Sequence, residues 1–421
     1  MTHTDYTKKL LNIEDENIYF YENCLDITEI KGIKTKIFHA YLTYTPSFCP
    51  KCKCINNGTD DIIKWDFKRN CKVKITKVCN YNTILLLDKQ RFFCKHCNKT
   101  FTASTNIVDF HKQISNDTRT SVILDLMTKD SEKNIAKRNN ISTNSVNRIL
   151  DDISDDKYVK NNGSLPTSFG IDEFSATKDT ISKLAFIIVN QDSRNIFDIN
   201  NSRLSKDIYK YFSRYQKSDR NKVKFITMDL YKPYYILMHK LFPNAILISD
   251  RFHIVLQIRN ALDKTRINLC KKSNSNYNKL KNEDDLDRNN KLYSKNFNKD
   301  MSQYDIVQYL MNTDDILNYT YNLYQGIIKS INNRDKNKFS NIIHNVDNKK
   351  LNKYSKTAIK TFLNFEDYII NAFDYDLSNG LVEGTNNLIK QVKHNACGYR
   401  KFSHLKARIM LIKGICNPLL T

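Results

Sequence analysis

Two Cys-x-x-Cys pairs constrain the N-terminal third of the chain more than any other feature. The first pair is Cys49 and Cys52 in FCPKC, the second is Cys94 and Cys97 in FFCKHC, and 41 residues lie between them. Each pair can direct two thiolates to one ion, and two pairs complete a tetrahedral zinc site. Four thiolates leave no coordination position for water, so we expect one structural Zn²⁺ ion.

The run YNTILLLDKQRFF (81–93) predicts a strand that leads into the second cysteine pair. This arrangement is typical of a zinc-ribbon-like module, which we assign to residues 1–105. Two alternatives stay open, since the pairs could be unrelated, and Cys54, Cys71 or Cys79 could replace a proposed ligand.

Localisation follows from cysteine use and hydropathy. Eleven cysteines are present, residues 1–20 lack the apolar core of a signal peptide, and the longest apolar run, LAFIIV (184–189), is too short to span a bilayer. We therefore expect a cytoplasmic protein without disulfides and without a membrane partner.

The chain has 421 residues and a formal net charge of +22, with a pI near 9.3. Such a balance indicates a polyanionic partner, and nucleic acid fits better than a membrane surface. The coding bias of an AT-rich genome, which favours Lys, Asn and Ile, offers a second explanation for part of the excess.

Residues 131–153 predict two short helices joined by a polar turn. Ser131 can start the first helix, Asn139 and Asn140 suit the turn, and Ser142 or Thr143 can cap the second helix. This pattern is typical of a helix-turn-helix, although any helical hairpin has similar spacing. The second helix would present four side chains to the major groove of DNA: Asn144, Ser145, Asn147 and Arg148. We assign this region to residues 106–160 and interpret 154–168 as a linker.

Three acids stand at the ends of predicted strands in the middle of the chain: Asp172, Asp229 and Asp250. Asp250, beside Arg251, is explained by capping of the next helix. Asp172 and Asp229 on adjacent strands would repel each other, and a hard divalent cation would remove that repulsion. Two such ions, Mg²⁺ or Mn²⁺, can promote phosphodiester chemistry.

The motifs GIDEFS, MDLYKPYY, NAILISDRFH and LSNGLVEGTNNLIK occur in this order. Together with the preceding cysteine pairs and helix-turn-helix, they resemble the DDE transposases of bacterial insertion sequences, specifically the ISL-three family. The resemblance implies a ribonuclease-H-like fold in which Asp172, Asp229 and Glu383 hold two Mg²⁺ ions. It also implies DNA cleavage and strand transfer at the terminal inverted repeats, in the bacterial nucleoid.

Glu383 precedes a basic tail, since residues 384–421 contain seven Lys or Arg and no acid. On a helix, Asn387 and Lys390 share the face of Glu383, whereas Leu381, Leu388 and Val392 predict a different, buried stripe. A solvated helix with one isolated Glu is the alternative interpretation. Outside the helix-turn-helix, we expect these residues to contact DNA: Arg251, His253, Asn386, Asn387, Lys390, Lys393, Arg400 and Lys401. For Arg251 and His253, ordinary packing is an equal alternative. Arg408 and Lys406 belong to the same basic tail, which we expect to follow phosphates.

Spacing predicts an insertion. Asp172 and Asp229 are 57 residues apart, but Asp229 and Glu383 are 154 apart, too far for a simple return to the sheet. The predicted α+β multidomain fold therefore continues with a catalytic domain interrupted by a helical insertion, in three segments: 161–260 for its first part, 261–372 for the insertion and 373–421 for its last part with the basic C-terminal helix.

Joining two DNA ends in one complex predicts a homodimer or higher oligomer. Two other functions remain possible from sequence alone: an inactive DNA-binding regulator derived from a transposase, and a nuclease without strand transfer. A zinc-dependent hydrolase is a third rival, but it would need an open position among the zinc ligands.

Overall fold

The described residues of the chain form two compact units, one comprising 1–160 with 389–421 and the other 161–388. No helix among them is long and apolar enough to cross a membrane. The computed structural model describes residues 3–57, 61–154, 164–273, 287–294, 298–312, 314–416 and 418–419. Most of the predicted linker, at 155–163, lies outside these ranges, as does most of the polar run at 271–291, at 274–286.

A five-stranded mixed sheet forms the core of the first unit, in the order β1-β2-β4-β3, with β5 pairing to β4. Strand β4 follows the predicted strand at 81–93 and ends at the first cysteine of the second pair. The apolar core lies on this sheet. Its elements are α1 His3–Leu10, β1 Ile18–Ile30, β2 Ile33–Leu42, β3 Ile62–Val78, β4 Tyr81–Cys94 and β5 Lys99–Thr102.

The predicted helix-turn-helix is present in the first unit. Ser131 caps α3 by accepting from the Asn134 backbone N–H, and Asn140 takes a left-handed conformation with φ 53° in the turn. Ser142 accepts from the Ser145 backbone N–H at 3.1 Å at the start of α4. The helices of this unit outside the sheet are α2 Asn116–Leu126, α3 Glu132–Arg138, α4 Thr143–Ser154 and α15 Phe402–Ile412.

The C-terminal helix α15 packs against α4 and α2 of the same unit. Its Arg408 is fully buried and donates to the backbone carbonyl oxygens of Leu126 and Asp130, at the C-terminal end of α2 and just beyond it. Unpaired carbonyls at a helix C-terminus attract a guanidinium. The expectation that Arg408 follows DNA phosphates is therefore wrong, because this cation links α15 to the helix-turn-helix.

The second unit contains a five-stranded mixed sheet in the order β10-β9-β6-β7-β8. Strands β6, β7 and β8 are antiparallel neighbours, whereas β9 pairs in parallel with β6, and β10 with β9. The mixed α/β arrangement predicted for this region is confirmed. Its strands are β6 Ser168–Ser175, β7 Leu184–Asn190, β8 Asn195–Asn200, β9 Phe225–Met228 and β10 Ile246–Ser249.

Helices surround this sheet and share one apolar core with it. The long α8 packs against α10 and α12, and α13 packs against β10. The described part of the predicted insertion at 261–372 is mainly helical and also contains one short pair of antiparallel strands. The remaining elements are α5 Ser205–Ser213, α6 Lys217–Arg220, α7 Lys232–Leu241, α8 Arg251–Ser273, β11 Leu292–Ser294, β12 Lys299–Met301, α9 Gln303–Met311, α10 Asp315–Asn332, α11 Lys336–His344, α12 Lys353–Asn364, α13 Glu366–Asp374 and α14 Gly380–Asn395.

Candidate active site and zinc centre

The strand register places the two predicted aspartates side by side. Gly170 of β6 pairs with Thr227 of β9 in parallel, and Asp172 and Asp229 each follow two residues later. Side chains two residues apart lie on the same face of a strand. Since residues 170 and 227 are partners, both carboxylates lie side by side on one face of the sheet, at the carboxyl end of β9. Sequence reasoning anticipated two such acids on neighbouring strands.

Burial and mutual repulsion disfavour ionisation of both acids. Burial raises the pKa of Asp172 above its ordinary value. Burial and the adjacent charge of Asp172 raise the pKa of Asp229 to about 7. The site thus concentrates negative charge where water solvates it poorly, which is the environment that a divalent cation relieves.

A third acid, Asp250, follows β10 and joins the same edge of the sheet. Its backbone N–H donates to the Met228 carbonyl at 3.0 Å, and its carboxylate lies 3.0 Å from His253 Nδ1. The ligand atoms of Asp229, Asp250 and His253 all lie within 4.8 Å of one another. Sequence reasoning assigned Asp250 to helix capping alone, although its position after a strand next to β9 and the Asp-x-x-His spacing were visible signals.

One oxygen of Asp229 receives no hydrogen bond, because the ring N–H of His253 is directed to Asp250. His253 Nδ1 is 3.0 Å from both Asp229 Oδ1 and Asp250 Oδ2, but one ring N–H can be aligned with only one of them, and Asp250 receives it. Asp229 Oδ1 is accordingly a buried oxygen with no hydrogen-bond partner. The hydrogen bond that the His253 ring N–H donates to Asp250 is the main reason that the pKa of His253 is raised.

Helix α14 carries Glu383 on its exposed side, together with Asn387 and Lys390, as the predicted face requires. The Glu383 carboxylate belongs to neither of the two ligand clusters found in the described part of the chain. The predicted buried stripe is confirmed at Val392 and wrong at Leu381, which is exposed, while Leu388 is half-buried. The buried residues of α14 are Val382, Thr385, Asn386, Ile389 and Val392.

Asn386 joins α14 to β6. Its side-chain amide donates to Asp172 Oδ2 at 2.6 Å and to the Glu173 carbonyl at 3.4 Å. The side chain is only 7% exposed, and its Oδ1 is a buried atom without a partner. Because both amide hydrogens point to acceptors, the orientation of the amide is fixed. The other oxygen of Asp172 accepts from the Glu173 backbone N–H at 2.7 Å.

Asn379, buried just before α14, makes a second link to the sheet. Its Oδ1 accepts from Thr227 Oγ1 at 2.6 Å, and its Nδ2 donates to the Ile171 carbonyl at 3.1 Å. Gly170 permits this approach, because a Cβ at that position would lie 2.8 Å from Asn379 and 2.6 Å from Val382. Asn379 and Asn386 thus attach the helix of Glu383 to both aspartate-bearing strands.

Other predicted residues have internal partners. Arg251 donates to Asp376 at 3.1 Å, which also accepts from Arg334 at 2.7 Å. Glu173, to which we assigned no metal, accepts from Arg203 at 2.9 Å. In the first unit, Lys401 pairs with Asp151 at 2.6 Å.

The remaining predicted DNA contacts differ in exposure. Burial lowers the pKa of Lys393. Ser145 and Asn147 are half-buried, whereas Asn144, Arg148 and Arg400 are exposed.

The four predicted zinc ligands form one cluster. Cys49 Sγ lies 3.9 Å from Cys97 Sγ, and Cys52 Sγ lies 3.7 Å from Cys94 Sγ. Zinc–sulfur bonds of about 2.3 Å in a tetrahedron require sulfur atoms about 3.8 Å apart, so the cluster fits Zn²⁺. Although burial opposes ionisation, backbone N–H groups of residues 51 and 52 help to lower the pKa of Cys49 to about 7.

The additional cysteines lie outside this cluster. Cys54 Sγ donates to the Ile55 carbonyl, Cys71 Sγ donates to the Lys68 carbonyl, and Cys79 is exposed. The question of which cysteines form the quartet is thereby answered in favour of the two Cys-x-x-Cys pairs.

A family profile described as "Transposase", of the DDE ISL-three type, matches residues 169–409, which is more than half of the chain. The chain belongs to the ISL-three family of DDE transposases. Membership implies a metal-dependent enzyme that cuts and transfers DNA, and it makes DNA the expected partner. The matched range contains every acid of the site described above.

A curated protein from Lactococcus lactis subsp. lactis, named "ATP-dependent protease", is 34% identical to this transposase over 114 residues. The match covers 27% of this chain and 36% of the relative. The chain therefore spans little more than a third of the length of that relative.

Proposed function

We propose that this transposase binds the terminal inverted repeats of its insertion sequence, cleaves the DNA strand at each end and joins the freed 3′ ends to target DNA. The observation that carries the proposal is the parallel register that sets Asp172 beside Asp229, with the helix of Glu383 attached to both strands through Asn379 and Asn386. A ribonuclease-H-like fold for this domain is supported by the strand order, in which three antiparallel strands are followed by two parallel ones.

Asp172, Asp229 and Glu383 would hold the metal ions. The donor set fits Mg²⁺ or Mn²⁺, because it consists of carboxylate oxygens and one of them, Asp229 Oδ1, is buried without a donor. When bound, a pair of such ions supplies activation of the attacking hydroxyl and stabilisation of the leaving oxygen. The protein itself orients Asp172 through the Asn386 amide and the Glu173 backbone N–H.

The cluster of Asp229, Asp250 and His253 suggests a second ligand set. Imidazole is a poorer ligand than carboxylate for Mg²⁺ and Mn²⁺ and suits softer cations such as Zn²⁺. We propose instead that His253 is not a metal ligand but pairs with Asp250, which leaves Asp229 Oδ1 to a metal ion.

DNA recognition is proposed for the first unit. Asn144, Ser145, Asn147 and Arg148 of α4 would read the major groove. Lys390, Lys393, Arg400 and Lys401 would add salt-sensitive contacts to phosphates, with Lys401 exchanging Asp151 for DNA. Two copies of the chain would hold the two ends of the element.

A strand-transfer assay tests this function. Purified protein, Mg²⁺, a DNA fragment with the ends of the element and a supercoiled target should give joined products. Binding without cleavage would indicate the regulator, and cleavage without joining would indicate the nuclease.

Asn386 gives a sharper test of the site, because sequence reasoning placed it on DNA and the structure places it on Asp172. Asn386→Ala should lower the rate of cleavage at saturating DNA about 100-fold, since a misplaced reacting group costs this much. It should also raise the Mg²⁺ concentration needed for half-maximal cleavage and leave duplex affinity unchanged.

Its exposed neighbour is the matched control. Asn387→Ala removes the same group from the same helix and should weaken duplex binding without slowing cleavage at saturating DNA. If Asn386→Ala instead weakened duplex binding and left the saturated rate intact, the positioning role of Asn386 would be wrong.

A further inference from the structure

A short loop at residues 109–113 projects from the first unit beside the helix-turn-helix. All five of its residues are exposed. Its base is fixed to β3, because the Lys74 backbone N–H donates to the Gln113 carbonyl at 2.8 Å and the Ser115 N–H donates to the Lys74 carbonyl at 2.9 Å. Ser115 then caps α2. The loop therefore has a fixed base, because β3 holds it on one side and α2 begins on the other.

The tip of the loop carries two rings. Phe110 is 79% exposed, and its ring lies 4.1 Å from the ring of His111, centroid to centroid, in an edge contact. His111 has φ 60°, and the Lys112 backbone N–H donates to the Asp109 carbonyl at 3.0 Å, so the turn has a defined shape. Single exposed rings are common on protein surfaces, so the defined turn and the cleft beside it, rather than exposure alone, distinguish this loop.

A cleft of about 530 Å³ separates the loop from α4, the helix proposed to enter the major groove. Ser142, Ser145 and Arg148 line one wall, and Lys112 and His111 line the other. Further cleft residues are Lys74, Arg119, Asp109 and Asp152. Lys112 pairs with Asp109 at 2.9 Å and Arg119 with Asp152 at 2.6 Å. Lys74, whose Nζ donates to the Asn140 carbonyl at 2.6 Å, and Arg148 have no carboxylate partner among these cleft residues, so the cleft carries an excess of positive charge.

We propose that the 109–113 loop is a DNA-contacting wing that places Phe110 and His111 in the minor groove next to the major groove occupied by α4. The proposal rests on the proposed function, because it needs α4 on DNA. A helix in the major groove brings neighbouring loops to the adjacent backbone and minor groove, where apolar side chains act as wedges and cations contact phosphates. The excess positive charge of the cleft favours the phosphates that run between the two grooves.

Binding of the full chain to a labelled A·T-rich duplex tests the wing. Phe110→Ala should weaken binding about tenfold, which is the effect expected when an inserted apolar side chain is lost. Since that contact is not ionic, the slope of log affinity against log salt should stay as in the wild type. Lys112→Gln should instead reduce the slope by about 0.9, as for one lost phosphate contact. Netropsin fills the minor groove of A·T-rich DNA. It should therefore lower the DNA affinity of the wild type by a larger factor than it lowers the DNA affinity of the Phe110→Ala variant.

Tyr6→Ala is the matched control, because Tyr6 is an aromatic residue of the same unit that is 65% exposed and lies on α1. Zinc content and thermal unfolding should match the wild type in both variants, so a binding change is not a folding change. Equal affinities for Phe110→Ala and Tyr6→Ala would overturn the wing. So would unchanged DNA binding accompanied by loss of self-association, which would make a second copy of the chain the occupant. Failure of the wild type to bind any duplex would overturn the proposed function itself, before any variant is compared.

Discussion

Glu383→Gln should leave DNA binding intact and lower strand cleavage and strand transfer by about a thousandfold or more, since the substitution removes the carboxylate that we propose as the third metal ligand. The substitution keeps size and helix propensity and removes only the charge. Glu383 is exposed on α14, so its replacement should not change the stability of the fold. The test measures the rate at which each protein cleaves a labelled fragment at saturating Mg²⁺ and the affinity of the same protein for the duplex.

Two further conservative variants test whether the loss of cleavage is specific to Glu383. Glu173→Gln is the matched control, because Glu173 is adjacent to Asp172 but is committed to Arg203 and Tyr234; it should cleave at a rate close to wild type. Asp250→Asn examines the rival ligand set of Asp229, Asp250 and His253. If the Glu383→Gln variant were active and the Asp250→Asn variant inactive, the third metal ligand would be Asp250, just before α8, and not Glu383 of α14.

Local chemistry explains what could be predicted from the sequence. The cysteine quartet was readable because two short motifs each fix a pair of ligands, and the helix-turn-helix because Ser131 and Asn140 act on their own neighbours. The paired aspartates were readable from acids beside apolar strand residues, although Asp172 lies inside β6 rather than at its end, and only Asp229 directly follows its strand. In each case the deciding interaction spans a few residues or follows from strand alternation.

Contacts between distant residues could not be predicted in this way. Arg408 was interpreted as a surface cation, because nothing near it shows that the carbonyl of Leu126, 282 positions away, would receive it. Asn386 was assigned to DNA for the same reason, since its acceptor Asp172 lies 214 positions away.

The prediction that Leu381 lies on the buried stripe of α14 was wrong because the helical pattern is ambiguous. Leu381 and Leu388 are seven residues apart, and so are Val382 and Ile389. The two pairs lie on neighbouring faces about 100° apart, so periodicity alone favours neither. Packing decides, because Val382 closes against Gly170 of β6.

Removal of zinc should have the largest effect on the stability of the first unit. Cys97→Ser should lose the ion, and with it a contribution that reaches about 10 kcal/mol in small zinc modules. The consequence should extend to DNA binding, because β3 of the same sheet holds the segment that leads into α2 through Lys74. Zinc content by metal analysis, thermal unfolding and duplex affinity should all fall together.

Cys71→Ser is the matched control for the zinc prediction, since Cys71 is half-buried like Cys97, lies in the same sheet and stands outside the quartet. It should retain one zinc per chain and bind duplex DNA as the wild type does, because the lost thiol makes only a weak bond to the Lys68 carbonyl. If Cys97→Ser kept stoichiometric zinc, or lost it without any loss of DNA affinity, the four thiolates would not be the structural link between the sheet and the helix-turn-helix. Stability and recognition should depend on the same ion because one strand, β3, pairs with β4, which ends at Cys94 of the quartet, and also holds the segment that begins the helical region.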